Sequence, residues 1–400
     1  MNFEAVASSL REDARASVTE IDLDASATTA PTPGVIAAVV AAMSEGYGNP
    51  SSGHGRGDAA RRILADARDA VNELISGASE DGVTFTSGCT EANNLVLRSF
   101  AGAPARIITT AVEHPSVIAT VNDIRATGGL VTILGVDGDG GIDLTELRTA
   151  VNAASGPCLV SIQLANSETG ILQDARAIAA IVSGSADCFF HADAAQAVGK
   201  IDLTVGRGVG PDVVTLSGHK LHAPMGIGAV VVAADSHIPL QALLRGGEQE
   251  HGLRAGTEAV PAIAGLAAAC QEWAGMRGER QRTLTEMQSA LEARLAAIDG
   301  AIINGAASPR LPNVTNVRFA GIDAMALVAN LDARGIYVSQ GSACSSRRPE
   351  PSPVLVAMGL SEGEAFSAIR LSLSVHNQAS DVDLAARAIA EIVAQMRGGL

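Results

Sequence analysis

Aromatic side chains are nearly missing from this sequence: Phe, Tyr and Trp make up 2% of its 400 residues. With 47% hydrophobic content, the core must be assembled from Ala, Val, Ile and Leu, which suits parallel strands covered by helices. Clustered Lys and Arg are also lacking, and the formal net charge is −15, which argues against a nucleic-acid surface. Five cysteines, Cys89, Cys158, Cys188, Cys270 and Cys344, are odd in number and show no Cys-x-x-Cys spacing. Neither a disulfide framework nor a zinc site is expected, and a reducing cytoplasm fits such a chain. No apolar run opens it: residues 1–20 carry Glu4, Glu12 and Asp13 and read as a solvated helical extension, not a signal peptide or membrane span. Lysine is the scarcest charged residue, with Lys200 and Lys220 alone in the chain.

What is present is an alternation of short β-branched runs with Ala-rich helical stretches between about residues 81 and 233, the pattern of repeated βα units in an α/β fold. Strands are expected at 82–85, 106–110, 159–164, 188–191, 213–216 and 227–232. Arg, Glu and Leu then recur at helical spacing over 272–298, predicting a long linking helix. Strands within 310–340 and 366–374, with helices at 324–333 and 381–396, suggest a compact α+β unit. The expected division is an extension at 1–20, a large domain at 21–270 whose first residues pack on the small domain, and a small domain at 271–400.

In an open α/β sheet, ligands bind beyond the carboxyl ends of the strands, so polar residues directly after apolar runs are the first candidates. Thr86-Ser87-Gly88-Cys89-Thr90-Glu91 follows one run and opens a helix, offering free N–H groups and hydroxyls to an anion, or else an ordinary cap. Lys220 follows another run through Ser217-Gly218-His219, where desolvation lowers an amine's basicity and prepares a Schiff base. Lys200 follows Val198-Gly199 at a turn and reads as a solvated surface residue. Asp193 stands one βα unit before Lys220, placed either to hold a pyridinium proton or to cap a helix. His114, before Pro115, is a candidate for stacking and proton transfer beside the plainer role of a structural histidine.

Gly341-Ser342-Ala343-Cys344-Ser345-Ser346, flanked by Arg347-Arg348 and prolines, reads as an exposed loop carrying a thiol beside positive charge, which favours thiolate. Cys158 and Cys188 lie in apolar strands and Cys270 ends an Ala-rich helix, so these three read as core residues. Arg370 is the single cation of an otherwise small or apolar strand, suited to a carboxylate or to a surface ion pair.

Taken in order, these segments resemble the NifS/IscS-type cysteine desulfurases, class-V aminotransferase-like enzymes of fold-type I that use pyridoxal 5'-phosphate (PLP). The likeness runs from about Asp22 to the C-terminus. It is carried by Leu23-Asp24-Ala25-Ser26-Ala27-Thr28-Thr29, Gly48-Asn49-Pro50-Ser51-Ser52, Thr86-Ser87-Gly88-Cys89-Thr90-Glu91-Ala92-Asn93-Asn94 and Glu113-His114. It continues through His191-Ala192-Asp193-Ala194-Ala195-Gln196, Ser217-Gly218-His219-Lys220, Leu253-Arg254-Ala255-Gly256-Thr257 and Gly341-Ser342-Ala343-Cys344. The chain departs from the family pattern at His251, at Ser374-Val375-His376 and at Arg347-Arg348.

The resemblance implies a mainly parallel seven-stranded sheet in the large domain and a small α+β domain. It implies that Lys220 carries PLP, Asp193 pairs with the ring nitrogen, Gln196 meets the phenolic oxygen and His114 stacks on the ring. Thr90, Ser217 and His219 would hold the phosphate, and Thr257 would reach the phosphate of a neighbouring subunit in a homodimer. Cys89 reads from its own position as a packing residue, counted among the cofactor contacts because it lies in the proposed phosphate turn. Asn166 would meet both the cofactor and the substrate carboxylate, and Arg370 the carboxylate. The implied reaction converts L-cysteine to L-alanine, with Lys220 moving the Cα proton and Cys344 taking the sulfur as a persulfide for a protein acceptor. Iron–sulfur assembly, tRNA thiolation, DNA sulfur modification and biosynthetic carriers all remain open as destinations. Two other readings stand beside it: a PLP-dependent selenocysteine or C–S lyase on the same scaffold, and a non-catalytic sulfur-pathway scaffold.

Overall fold

The computed structural model describes residues 20–341 and 350–398. The expected extension up to residue 19, together with Cys344, Arg347 and Arg348, lies outside the described residues. In chain order the strands are β1 (Ile21–Asp22), β2 (Ala78–Thr86), β3 (Arg106–Thr110), β4 (Leu130–Leu134), β5 (Cys158–Ser161) and β6 (Cys188–Asp193). They continue as β7 (Val213–Ser217), β8 (Gly228–Ala233), β9 (Ala301–Ile303), β10 (Val314–Phe319), β11 (Ile336–Tyr337) and β12 (Ala368–Ser372).

Seven of them form the main sheet in the order β2-β8-β7-β6-β5-β3-β4. β8 runs against both of its neighbours, and the other four pairings are parallel. Side chains alternate across this sheet with period two and enter two separate cores. Ile108, Val160, Phe190 and Val214 fall in one, while Ile107, Leu159, Phe189 and Val213 fall in the other. Every residue of β5, β6 and β7 is buried, as expected of strands covered on both faces. β4 has no counterpart among the strands expected from the sequence; it is an edge strand whose residues are mostly only partly covered.

A second, antiparallel sheet has the order β12-β10-β9, and β1 pairs with β11 in parallel. From β1 the chain runs past β12, with Ala25 N–H bonded to Ser372 O at 3.1 Å, and on to the main sheet, where Thr29 N–H meets His219 O at 2.9 Å. Residues 24–30 therefore form a strap between the small sheet and the carboxyl ends of the large one.

The long helix spans Val260–Ala296, twelve residues earlier in its start than the expected 272. Cys270 sits inside it instead of ending a shorter one, and the helix crosses the expected division at 270. Gly275 and Gly278 do not interrupt it, because each costs only about 1 kcal/mol relative to Ala in a helix. That cost is offset by a buried face that includes Ile263, Leu266, Cys270, Trp273, Leu284, Met287, Leu291 and Leu295.

At Gly228, the first residue of β8, a Cβ would stand 2.5 Å from Leu216 O and 2.7 Å from the Gly88 backbone. The strand can approach the 86–89 turn only without a side chain. Gly228→Ala is expected to lower stability by about 1–3 kcal/mol through overpacking against backbone, read as a shift in the urea unfolding midpoint.

Candidate active site

β2, β3, β5, β6 and β7 all point their carboxyl ends at one edge of the sheet, and there a cavity of about 610 Å³ opens. Its wall brings together Cys89, Thr90, His114, Asp193, Gln196, Ser217, His219, Lys220 and Arg370, along with Ser26 and Gln163. Thr257 is exposed and Asn166 is buried, and neither is part of the wall. Asn166 ties its own loop to the segment after β3: Nδ2 donates to Val112 O at 3.1 Å, and Oδ1 accepts from Glu168 N, Thr169 N and Thr169 Oγ1.

Lys220 ends the turn Gly218–Lys220 that follows β7. Its Nζ donates to the carbonyls of Ser26 and Ala27 in the strap, the latter at 2.6 Å. Burial, followed by the positive charge of Arg370, lowers its pKa from an ordinary 10.5 to about 8, against the opposing pull of Asp24 and Asp193. Lys200 is not the solvated residue that its turn suggested. It is 4% exposed, because the long helix covers the turn: Gln281 Nε2 donates to Lys200 O, and Trp273 packs on Gly199. Its Nζ donates to Gln196 O at 3.1 Å, and burial with the Lys220 charge lowers it to about 7. Lys200 is buried and Lys220 only partly so, and Lys220 is the one that faces the cavity.

Asp193 ends β6 with its carboxylate buried and, among the described residues, in no ion pair. Oδ1 accepts from Ala195 N at 2.9 Å and from Cys89 Sγ at 3.5 Å, and Oδ2 from Asn93 Nδ2 at 2.8 Å. The same Asn93 amide donates to Ser116 Oγ at 2.9 Å, and Ser116 in turn meets His114 Nδ1 at 2.8 Å. Asn93 Oδ1 accepts from Thr215, whose hydroxyl also contacts the buried His191. His114 Nδ1 accepts from Ser116 N, which leaves the proton of a neutral ring on Nε2. Burial, reinforced by Lys220, lowers the His114 pKa, with Asp193 opposing.

Cys89 opens the helix Cys89–Arg98 after Gly88, whose φ of 152° lies where only glycine is comfortable. No side chain caps this helix, so its first N–H groups are open toward the cavity for an anion. Burial raises the Cys89 thiol well above its ordinary value, so it is a neutral packing group here. Gln196 Nε2 donates to Ser26 O at 3.0 Å, while its Oε1 and the Ser26 hydroxyl are buried without partners.

Arg370 is 2% exposed and not a surface ion pair. It bonds Asp24 Oδ1 through Nη2 at 2.6 Å and Ser167 O through Nη1 at 3.2 Å, and its Nε has no partner. Two of its five donors are thus engaged, and the rest are free for a carboxylate.

The donor set fits a planar anionic pyridine cofactor. It offers an amine of lowered basicity, an unpaired buried carboxylate, an open helix N-terminus and an orphaned amide oxygen. Asn93, Ser116 and Asp24 were not singled out from the sequence. Asn93 and Asp24 lie inside recognised motifs, but nothing in local spacing signals which polar residue of a buried motif bonds which neighbour. Among the described residues no cluster of His, Cys, Asp or Glu could hold a metal ion, and no helix is long and apolar enough to cross a membrane.

The family profile described as Aminotransferase class-V matches residues 21–384. A cysteine desulfurase of Cereibacter sphaeroides is 39% identical over 379 residues, covering 94% of this chain and 96% of that protein. Cysteine desulfurase IscS 1 of Archaeoglobus fulgidus is 36% identical over 367 residues, covering 91% and 94%. A solved structure described as a NifS-like protein superposes with a TM-score of 0.85 at 33% identity, covering 94% of this chain and all of the other. With its mixed seven-stranded sheet and its small antiparallel sheet, the chain belongs to the class-V aminotransferase family, among the cysteine desulfurases of NifS/IscS type.

Proposed function

We propose that this protein binds PLP on Lys220 and converts L-cysteine to L-alanine, passing the sulfur through Cys344 to a protein acceptor. The observation that carries the reading is a cavity-facing lysine of lowered basicity beside a buried, unpaired carboxylate and an open helix N-terminus. When bound, PLP supplies an electron sink that makes the substrate's Cα proton acidic and its Cβ–S bond breakable.

The chain's own groups do the rest. Asp193 holds a proton on the ring nitrogen, and the hydrogen bonds from Asn93 and Ala195 keep its carboxylate aimed. The first N–H groups of the helix Cys89–Arg98, with Thr90, Ser217 and His219, take the phosphate. Gln196 offers Oε1, and His114 presents a neutral ring from the end of β3. Arg370 takes the substrate carboxylate with its spare donors, beside Asn166, whose Nδ2 has one N–H bonded to Val112 O. Lys220, neutral near pH 8 and above, moves the proton at Cα. The Cys344 thiolate attacks the substrate sulfur, an S–S bond forms as the Cβ–S bond breaks, and the carbon left behind is protonated to alanine. Thr257, exposed and away from this cavity, is proposed to reach the phosphate of a second copy in a homodimer, and thiol chemistry of this kind suits a reducing cytoplasm.

L-cysteine given to the PLP-loaded protein is expected to yield alanine and persulfide in equal amounts, with both reduced by about two orders of magnitude in Cys344→Ala. Alanine that persists without Cys344 would instead identify a lyase, and a chain that never binds PLP would leave a scaffold.

The two-lysine composition permits a direct titration of the amine. Competitive acylation of the cofactor-free chain, resolved by peptide mass, is expected to show Lys220 reactivity rising with pH to a midpoint near 8. Arg370→Ala removes a cation that disfavours the ammonium and frees Asp24, so the midpoint should move up toward 10.5. An unchanged midpoint would show that burial acts without Arg370.

A further inference from the structure

Glu168 is a carboxylate taken almost wholly out of water, 2% exposed, in the loop that follows β5. Burial pushes its pKa up, while the Ser352 hydroxyl and the nearby Arg370 charge favour the ionised form. Among the described residues it forms no salt bridge, although a carboxylate in such a place is costly unless its bonds are used. Oε2 accepts the Ser352 hydroxyl at 2.5 Å, and Ser352 Oγ accepts from Leu355 N, capping the helix Pro353–Ala357. On the other side Gly341, with φ of 101°, comes so near that a Cβ there would stand 3.0 Å from the same Oε2. Ser339 Oγ donates to Gly341 O at 3.0 Å, and Ser339 exchanges backbone hydrogen bonds with Arg370. The loop itself is tied to Arg370 through Ser167 O and to β10 through Asn316 Nδ2 and Glu168 O.

One oxygen atom therefore bonds Ser352, two residues past the point where the described chain resumes after Cys344, and leaves no room for a side chain at Gly341, the last described residue before it. We propose that Glu168 is a positioning residue that holds Ser352 by a hydrogen bond and backs the side-chain-free Gly341, fixing beside Arg370 the described segments on either side of Cys344. A carboxylate suits the task because it only accepts, and a charged acceptor strengthens the bond from the Ser352 hydroxyl. The proposal rests on the reading of Cys344 as the sulfur acceptor, and it assigns Glu168 no contact with substrate or cofactor.

The test compares full-length, PLP-loaded wild type with Glu168→Gln, Glu168→Ala and Ser352→Ala by three readouts. These are the visible spectral titration with L-alanine, the rate of persulfide formation from L-cysteine, and the peptide-resolved rate of Cys344 alkylation by iodoacetamide. Alanine affinity is expected to stay within about twofold of wild type, while persulfide formation falls about tenfold or more in Glu168→Ala and severalfold in Ser352→Ala. Cys344 alkylation should quicken about threefold in both, with Glu168→Gln between them and wild type. Unchanged persulfide formation and alkylation in Ser352→Ala and Glu168→Ala would overturn the proposal. So would a loss of alanine binding in step with turnover, which would make Glu168 a support for the Arg370 pocket alone. Should Glu168→Ala fail to fold, Ser352→Ala decides. Wild type that releases alanine without a Cys344 persulfide would sink the sulfur-acceptor reading, whereas the alkylation rates would still decide for or against Glu168.

Discussion

Keeping the Lys220 amine largely out of water is the constraint around which this structure is organised. A shift from 10.5 to about 8 means that the protonated form is disfavoured by about 3 kcal/mol, and the surrounding fold must supply that cost. It does so by bringing three separate parts of the chain to one place. The fully buried β7 delivers the lysine through the turn that follows its carboxyl end, the strap at residues 24–30 closes over it, and β12 carries Arg370 in from the second sheet. The strap is held at both ends by backbone bonds, so large and small sheets are tied together at the point where the chemistry is expected.

Behind the cavity wall the polar groups form a connected network. Asn93 joins Asp193 to Ser116 and through it to His114, and it also joins Thr215 and His191. In a low-dielectric interior each satisfied bond in such a network strengthens its neighbours, and a missing one is expensive. The same principle explains Glu113, buried beside His114 with its pKa pushed up to about 8 by burial and held by the Thr110 hydroxyl and the Gln163 N–H. These residues do not face the cavity openly; they fix the orientation of those that do.

Much of this was legible along the chain because strand ends are legible. Residues such as Asp193, His114 and Lys220 stand directly after apolar runs, and in a parallel sheet those positions share one edge. Lys200 shows where that reasoning stops. Its turn looks solvated in one dimension, yet the helix carrying Trp273 and Gln281, some 70 to 80 residues away, covers it. Asn166, a candidate from its strand-end position, is buried with its amide oxygen taken up by its own loop and one amide N–H given to Val112 after β3. Arg370 looked as ready for a surface ion pair as for a substrate, and the choice was made by burial between the strap and the β5 loop.

The amino-acid sequence by itself determined the α/β class, the positions of most central strands, the scarcity that narrowed the amine to two lysines, and the ordered motifs of the family. These properties depend on local periodicity and residue type, which survive without coordinates. The tertiary structure alone decided that Lys200 is buried under the long helix, that Asn93 links Asp193 to His114, and that Glu168 bonds Ser352 with Gly341 packed close by. Those outcomes are contacts between residues far apart in the chain, and only close packing of the folded core sets them.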